Sequence, residues 1–228
     1  MKAKREFYCE LAYLLGVFLL AAGAAFMVRA DFGVSMVVAP AYLLHLKLQP
    51  YWAPFTYGMA GYAFEALLIV ILSIVMKRAK ISYLFSFITA VIYGLMLDLV
   101  MMAVSLLPVN LLLRVIYYVI GVLMCTFGVA LLFHSYFVPE AYELFVKEVS
   151  AKFGYPIGRV KTIYDCCSCL LAIVLSFVFF GFGHFEGVKL GSILCVFVNG
   201  WLIGQMGKGL EKRFVFQDAL PLRRYFEK

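Results

Sequence analysis

Charge is scarce in this chain. Asp, Glu, Lys and Arg make up 14% of its 228 residues, against 65% hydrophobic residues and a mean hydropathy of +0.97. A soluble domain carries about a quarter charged and about half apolar residues, so a water-soluble globule is excluded. The alternating ~10-residue strands of an outer-membrane barrel are missing too. So are a P-loop, a G-x-G-x-x-G fingerprint and a G-x-S-x-G elbow. The three histidines, His45, His134 and His184, are far apart and make no zinc motif. Cys125, Cys166, Cys167, Cys169 and Cys195 fall inside apolar stretches and Cys9 at the start of one, which leaves no extracellular pair for a disulfide. Cys166 to Cys169 has C-x-x-C spacing, but without a histidine nearby it reads as small-residue packing. Membrane enzymes carry dense polar clusters at one interface, and this chain has none. The expectation is a non-enzymatic protein with no cofactor and no metal.

Long apolar runs are what the chain has instead. Several reach the ~20 residues that span a bilayer as helix. Spans are predicted near 8–28, 53–76, 82–106, 111–133, 160–181 and 189–207. Sixteen of the twenty Lys and Arg then fall on one side: in the N-terminus, the 77–80 loop, the 147–161 region and the tail. Arg29, Lys47, Arg114 and Lys189 fall on the other. The positive-inside rule puts both termini in the cytoplasm of a multi-pass cell-membrane protein. The net charge of +7 is then mostly topology, with the lipid bilayer as partner and no nucleic acid. The basic start and the small residues Ala21 to Ala25 mimic a secretory signal, but the apolar run is long, and it reads as a retained first helix.

The second half repeats the first. GVFLLAAGAAFMVRADFG (16–33) aligns with GVLMCTFGVALLFHSYFV (121–138), placing Gly16 over Gly121, Gly23 over Gly128 and Arg29 over His134. After a gap, Gly58 aligns with Gly158, Glu65 with Asp165, Tyr93 with Asn199 and Gly94 with Gly200. Each copy has three spans, an odd number, so the copies cross in opposite directions. The fold expected is an all-α membrane protein of six transmembrane helices arranged as two inverted three-helix repeats. An interfacial or re-entrant segment follows the first helix of each. Residues 1–228 form a single membrane domain, with repeat one at 8–110, repeat two at 111–210 and a cytoplasmic tail at 211–228. The tail reads as a short helix or a lipid-facing extension.

Between the spans, residues 31–51 are apolar but short for a span, with Pro40 and Pro50. Their counterpart after Pro139 reads as an amphipathic surface helix. Leu144, Phe145, Val149 and Phe153 make its apolar stripe, and Glu143, Lys147 and Lys152 lie off it. It serves as a packing element or, since each repeat has one, as a gate.

A charge at the centre of a span costs ~2.5–3.5 kcal/mol on insertion scales. Glu65, Asp98 and Asp165 carry that cost. Glu65 and Asp165, as repeat equivalents, suit a proton, cation or cationic group at the repeat interface. Equally, they could fasten adjacent helices, Glu65 to Arg29 and Asp165 to His134, with Lys161 one turn before Asp165. Asp98 aligns with Gly204 and reads as a solvated site near the outer end; Asn199 reads as an interhelical hydrogen-bonding group. Gly94, Gly200 and Gly204 are expected to make close helix contacts.

Three segments, ADFGVSMVVAPAYLL (30–44), YPIGRVKTIYD (155–165) and GVKLGSILCVFVNG (187–200), resemble the YitT/YczE-type family of bacterial inner-membrane proteins. The likeness covers nearly the whole chain. Gly191-Ser192 stands where the family has Gly-Thr. Many YitT relatives carry a soluble C-terminal domain, and the chain looks more like the YczE branch, which lacks one. The resemblance implies an integral membrane protein and brings no settled activity.

Inverted repeats of this kind mark secondary transporters, with a site where the repeats meet. The leading expectation is a small inner-membrane carrier or channel-like permease for an unnamed solute or ion. Its candidate site residues are Glu65, Asp165, Arg29, Lys161, His134, Asp98 and Asn199. A bundle this small would enclose a path more readily as a homodimer. The alternative is a non-transporting membrane factor that stabilises or regulates a partner or the envelope.

Overall fold

The computed structural model describes residues 5–33, 35–78, 81–155, 157–181, 189–221 and 223. Lys2, Lys4, Lys80, His184, Arg224, Lys228 and the 187–188 start of the third family-like segment lie outside the described residues. The chain runs β1 (Arg5–Tyr8), α1 (Cys9–Ala30), α2 (Ala39–Leu48), α3 (Tyr57–Met76), α4 (Ile81–Ser105), α5 (Leu111–Phe133), α6 (Ala141–Phe153), α7 (Ile157–Phe180), α8 (Leu190–Arg213) and β2 (Phe214–Gln217). Five helices (α1, α3, α4, α5 and α7) are long and apolar enough to cross a membrane. α8, bent by 48° between Leu190–Val196 and Val198–Arg213, makes a sixth when its two parts are taken as one span. Ile74, Leu99, Met102, Leu170, Val178 and Trp201 point outward from the bundle, as lipid-facing side chains do.

α1 and α5 form the centre: 61% of the apolar window of each is buried, against 22–33% for α3, α4 and α7. Glycine permits this. A Cβ on Gly23 would stand 2.6 Å from the Gly121 carbonyl oxygen, and one on Gly128 would stand 2.7 Å from that of Gly16. Bare backbones therefore touch, as small residues allow in membrane helices. Pairing 23 with 121 and 16 with 128 makes the two helices antiparallel.

The other helices surround this pair in a regular way. α4 packs on α1 and α8 on α5; α3 packs on α4 and α7 on α8. α2 touches α3 and α7, and so does α6. Exchanging α1 with α5, α2 with α6, α3 with α7 and α4 with α8 maps these contacts onto one another. The match is in neighbours and not in extent: α3 lies much more closely on α4 than α7 does on α8, and the α4–α6 contact has no counterpart between α8 and α2 of comparable size among the described residues. The α4–α6 contact has a specific cause: Ser86 and Thr89 of α4 donate to the carbonyls of Pro139 (2.7 Å) and Val138 (2.9 Å), pinning the entry to α6.

The two short helices are more buried than an interfacial element. α2, ten residues and about 15 Å long, starts with Pro40 in its first turn, where a missing N–H costs nothing. Met36, Ala39 and Leu43 bury against Ala172 of α7. In α6 the surface stripe expected from sequence is corrected. Ala141, Tyr142, Glu143, Leu144 and Val146 are buried while Phe153 is exposed. Tertiary pairing of Glu143, described below, overrides the hydrophobic stripe.

The tail also departs from expectation. α8 continues to Arg213, and Phe214–Gln217 pairs in parallel with Arg5–Tyr8, Phe7 opposite Phe216. Four residues whose partner lies at the far end of the chain leave no local signal. Glu10 ties the strand down: its carboxylate accepts the N–H groups of Ala219 (3.0 Å) and Leu220 (2.8 Å) and the Tyr136 hydroxyl (2.7 Å). Glu10→Ala is expected to release this clasp, with faster amide exchange at Val215 and Gln217 and unchanged protection in α1 and α5. Unchanged exchange in the strand would show that Glu10 is not what holds it.

At the opposite end, the four minority cations are all tied down. Arg114 and Lys189 both bind Asp31. Arg29 donates to the Leu107 carbonyl, and Lys47 to that of Phe179 (3.1 Å). His45, on α2, donates from Nδ1 to the Phe55 carbonyl (3.0 Å) and stacks on Tyr57. Burial pushes its pKa below the ordinary 6.5. Below pH 6.5 the unfolded chain therefore binds a proton that the folded one resists, and stability falls as pH falls. The expected result is an acid-side loss of thermal stability that is smaller in His45→Gln; an identical pH slope in that variant would refute it.

Candidate functional site

Lys161 and Asp165 lie one turn apart on α7, on the same face. The pinned Val138–Pro139 entry aims the first turn of α6 at that face. Lys161 Nζ reaches Glu143 Oε1 at 3.1 Å and Asp165 Oδ1 at 3.9 Å. Glu143 is 2% exposed and Asp165 6%. A charge pair this deep persists only with close geometry, because removing ions from water costs several kcal/mol each. The cluster is not fully satisfied. Glu143 Oε2, Asp165 Oδ1 and Asn199 Oδ1 are buried without a hydrogen-bond partner among the described residues. All three residues, with Lys161, line one narrow cavity of about 40 Å³ that also touches Ser35, Tyr93 and Tyr142.

A wider cleft of about 430 Å³ leads down to the same cluster from the end of the bundle that carries the termini. Its mouth is formed by His134, Lys208 and Glu211 and its floor by Glu143, Lys161 and Asp165. Gly200, Gly204 and Gly207 of α8 form one wall. A Cβ on Gly200 or Gly204 would meet nothing within 4 Å among the described residues. The close contact expected of these two glycines is therefore absent: both face the cleft.

Glu65 sits on the other side of the core. Its Oε2 accepts the Ala141 N–H at 3.2 Å, at the N-terminus of α6, where a helix favours negative charge. Glu140, the residue before α6, is fully buried next to it. Burial first, and then the Glu65 carboxylate, push the Glu140 pKa well above the ordinary carboxylate range. Glu65 lines a second small void of about 20 Å³. This void and the Asp165 cavity share Val37, Val38, Tyr93 and Tyr142, so the two lie side by side.

The end opposite the termini is shut around α3 and α4. Asp98 accepts the Gly58 N–H (2.9 Å) and the Thr56 hydroxyl (2.6 Å), while Thr56 caps α3. Tyr62 lies directly over Gly94, where a Cβ would run into its ring. A vestibule of about 420 Å³ indents this end between Arg29, Asp31, Met101, Ser105 and Arg114, and none of the buried acids lines it.

Several expected pairings change. Asp98, half-buried near the end opposite the termini, fastens α3 to α4. Arg29 does not pair with Glu65, since its guanidinium goes to the Leu107 carbonyl. His134 does not pair with Asp165: its Nδ1 bonds the Ala130 carbonyl (2.7 Å) and its Nε2 faces Glu211 (3.4 Å). Asn199 makes no interhelical hydrogen bond through Oδ1 among the described residues. Lys161 and Asp165 do come together. Sequence reasoning missed Glu140 and Glu143 in the core. Their one signal is the run Pro139-Glu140 with Glu143 a turn later, which reads as an ordinary acidic helix start.

Among the described residues, five apolar helices, or six with the bent α8 taken as one span, surround a buried charge cluster, as in a multi-pass helical membrane protein. The chain belongs to the family described as "Family of unknown function (DUF6198)", whose model matches residues 7–208. No curated protein and no solved structure shows significant similarity to it.

Proposed function

We propose that this protein is a small secondary carrier built from two inverted repeats and held open toward the face that carries its termini. The observation that carries this reading is the contrast between the two α-helical pairs. Repeat-equivalent positions are packed in one half and bare in the other: Gly94 lies under Tyr62, and Gly200 faces an open cleft. A carrier caught in one of its two states has that asymmetry, since alternating access rocks one repeat against the other around a fixed site. Three further features support it. Equivalent helices α1 and α5 run antiparallel through mutual glycine contacts, the helix neighbours exchange pairwise, and Tyr93 and Asn199, aligned in sequence, line one cavity. Both termini are then cytoplasmic by the distribution of basic residues, and the state is inward-facing. The likeness to YitT/YczE-type proteins fits this membrane setting. Lys161, Glu143 and Asp165 form the substrate end, while Glu140 beside Glu65 holds a proton for coupling.

Single cysteines in a cysteine-free background test this with a membrane-impermeant maleimide. Gly204→Cys is expected to label quickly from the face of the termini. Gly61→Cys, beside the void at Glu65, is expected to label slowly from the other face and several-fold faster when Asp98→Ala loosens the shut end. If Gly204→Cys labels while Gly61→Cys never labels from that face, with or without Asp98→Ala, the carrier reading fails and the non-transporting factor takes its place.

A further inference from the structure

We infer that the cleft binds an organic monocation, an alkyl- or arylalkyl-ammonium, with its N–H groups on Glu143, Asp165 and Asn199 and its apolar body along α8. This rests on the cleft being a substrate site and names the class of substrate.

Hydrogen-bond demand selects the ligand. The three orphaned atoms, Glu143 Oε2, Asp165 Oδ1 and Asn199 Oδ1, are all acceptors, and their residues all line the same cavity. A buried acceptor left alone bears its full desolvation cost, and a larger one if charged. What satisfies such a set is a compact group with several donors and no acceptor, which describes an ammonium. Lys161 already shows the fit, since its own ammonium holds Glu143 Oε1 at 3.1 Å and stands 3.9 Å from Asp165. A second ammonium would take the faces of these carboxylates that Lys161 leaves open.

Charge balance agrees. Two carboxylates, Glu143 and Asp165, line the cavity against one cation, Lys161, among the described residues. An anionic solute would meet a surplus of carboxylates. The space agrees as well. The cleft's volume of about 430 Å³ lies in the range of small-molecule sites, ~300–1,000 Å³. Phe133, Val146, Val196 and Ile203 line its walls. These suit a hydrocarbon body better than a hydrated metal ion. Among the described residues no group of three His, Cys, Asp or Glu could hold a metal.

Four probes given to the purified protein in detergent separate the outcomes: phenethylamine, 3-phenylpropionate with a similar body and opposite charge, tetramethylammonium with charge but no N–H, and sodium. Phenethylamine is expected to raise Tm in a dose-dependent way and to slow maleimide labelling of Gly204→Cys. Phenylpropionate and sodium are expected to do neither, and tetramethylammonium to act only weakly. Glu143→Gln and Asp165→Asn, each near-isosteric, are expected to bind phenethylamine about tenfold to a hundredfold more weakly, the size of a lost charge-assisted hydrogen bond. Asn199→Ala gives a third variant that changes no charge and is expected to weaken binding as well. A shift with phenylpropionate or sodium in place of phenethylamine overturns the inference, and so does no shift with any probe. Because the probe is read by binding alone, that failure leaves the two-sided labelling of Gly204→Cys and Gly61→Cys intact as a separate test of the carrier. Binding without two-sided access would support the ammonium site and make the cleft that of a receptor, not a carrier.

Discussion

Lys161→Met is expected to destabilise the protein by about 3–5 kcal/mol, because it leaves Glu143 and Asp165 as buried carboxylates with no cation. For a chain of this size that is a drop in Tm on the order of 10 °C. Methionine keeps most of the volume and the apolar stem, so the effect reports charge and not a cavity. Glu143→Gln added to Lys161→Met is expected to recover most of the loss, since the closest carboxylate is then neutral. The single and double variants, compared by thermal melts in the same detergent, decide the matter. A Lys161→Met protein as stable as its parent, or a double variant no better than the single, would mean that Glu143 is neutral already and that Lys161 holds no ion pair. The distances, 3.1 Å to Glu143 and 3.9 Å to Asp165, make Glu143 the larger partner. Lys161→Met/Asp165→Asn is therefore expected to recover less than the double variant with Glu143→Gln.

The contrast between Lys161–Asp165 and Glu143 shows how far the sequence can be read. Helical spacing puts Lys161 and Asp165 on one face, because i and i+4 neighbours are fixed by the helix itself. Span ends follow from hydropathy, and α5 matches its expected 111–133 limits residue for residue. α8 overruns its expected end because Lys208, Lys212 and Arg213 are polar enough to stop a hydropathy window but not a helix. Glu143 reads as facing solvent because its neighbours form a plausible surface stripe. What turns it inward is the pinning of Val138 and Pro139 by Thr89 and Ser86, side chains about fifty residues away in sequence. Arg29 and His134 depart from their expected partners for a related reason: a backbone carbonyl at a helix end, invisible in any pattern, competes with a distant carboxylate for the same donor. Local periodicity carries the helices and their facing, whereas long-range polar contacts decide which acids meet which bases.

Gly23→Val is expected to prevent the folded bundle from accumulating, while Gly200→Ala is expected to leave it intact or stabilise it by up to ~1 kcal/mol. Both sites lie in apolar helices, and repeat alignment alone treats Gly94 and Gly200 as a matched pair. The surroundings separate them. At Gly23 even the first carbon of a side chain would stand 2.6 Å from the Gly121 carbonyl and 2.7 Å from the Cys125 nitrogen. These are backbone atoms, which cannot rotate away, so α1 and α5 must move apart along their whole crossing. Adding one methylene to a packed core costs about 1–3 kcal/mol, and here the branched side chain also breaks the Gly16–Gly128 contact further along. Gly94→Ala falls between, at about 1–3 kcal/mol, because it meets the Tyr62 ring, which can shift only by loosening its 3.1 Å bond to the Val91 carbonyl. Gly200 faces open space, so alanine there restores helix propensity without a clash. Expression level, monodispersity in detergent and Tm of the three variants make the comparison. Equal tolerance at Gly23 and Gly200 would mean that α1 and α5 do not touch as described. Equal intolerance would mean that the cleft beside α8 is closed in the working protein, which would remove the asymmetry on which the carrier reading stands.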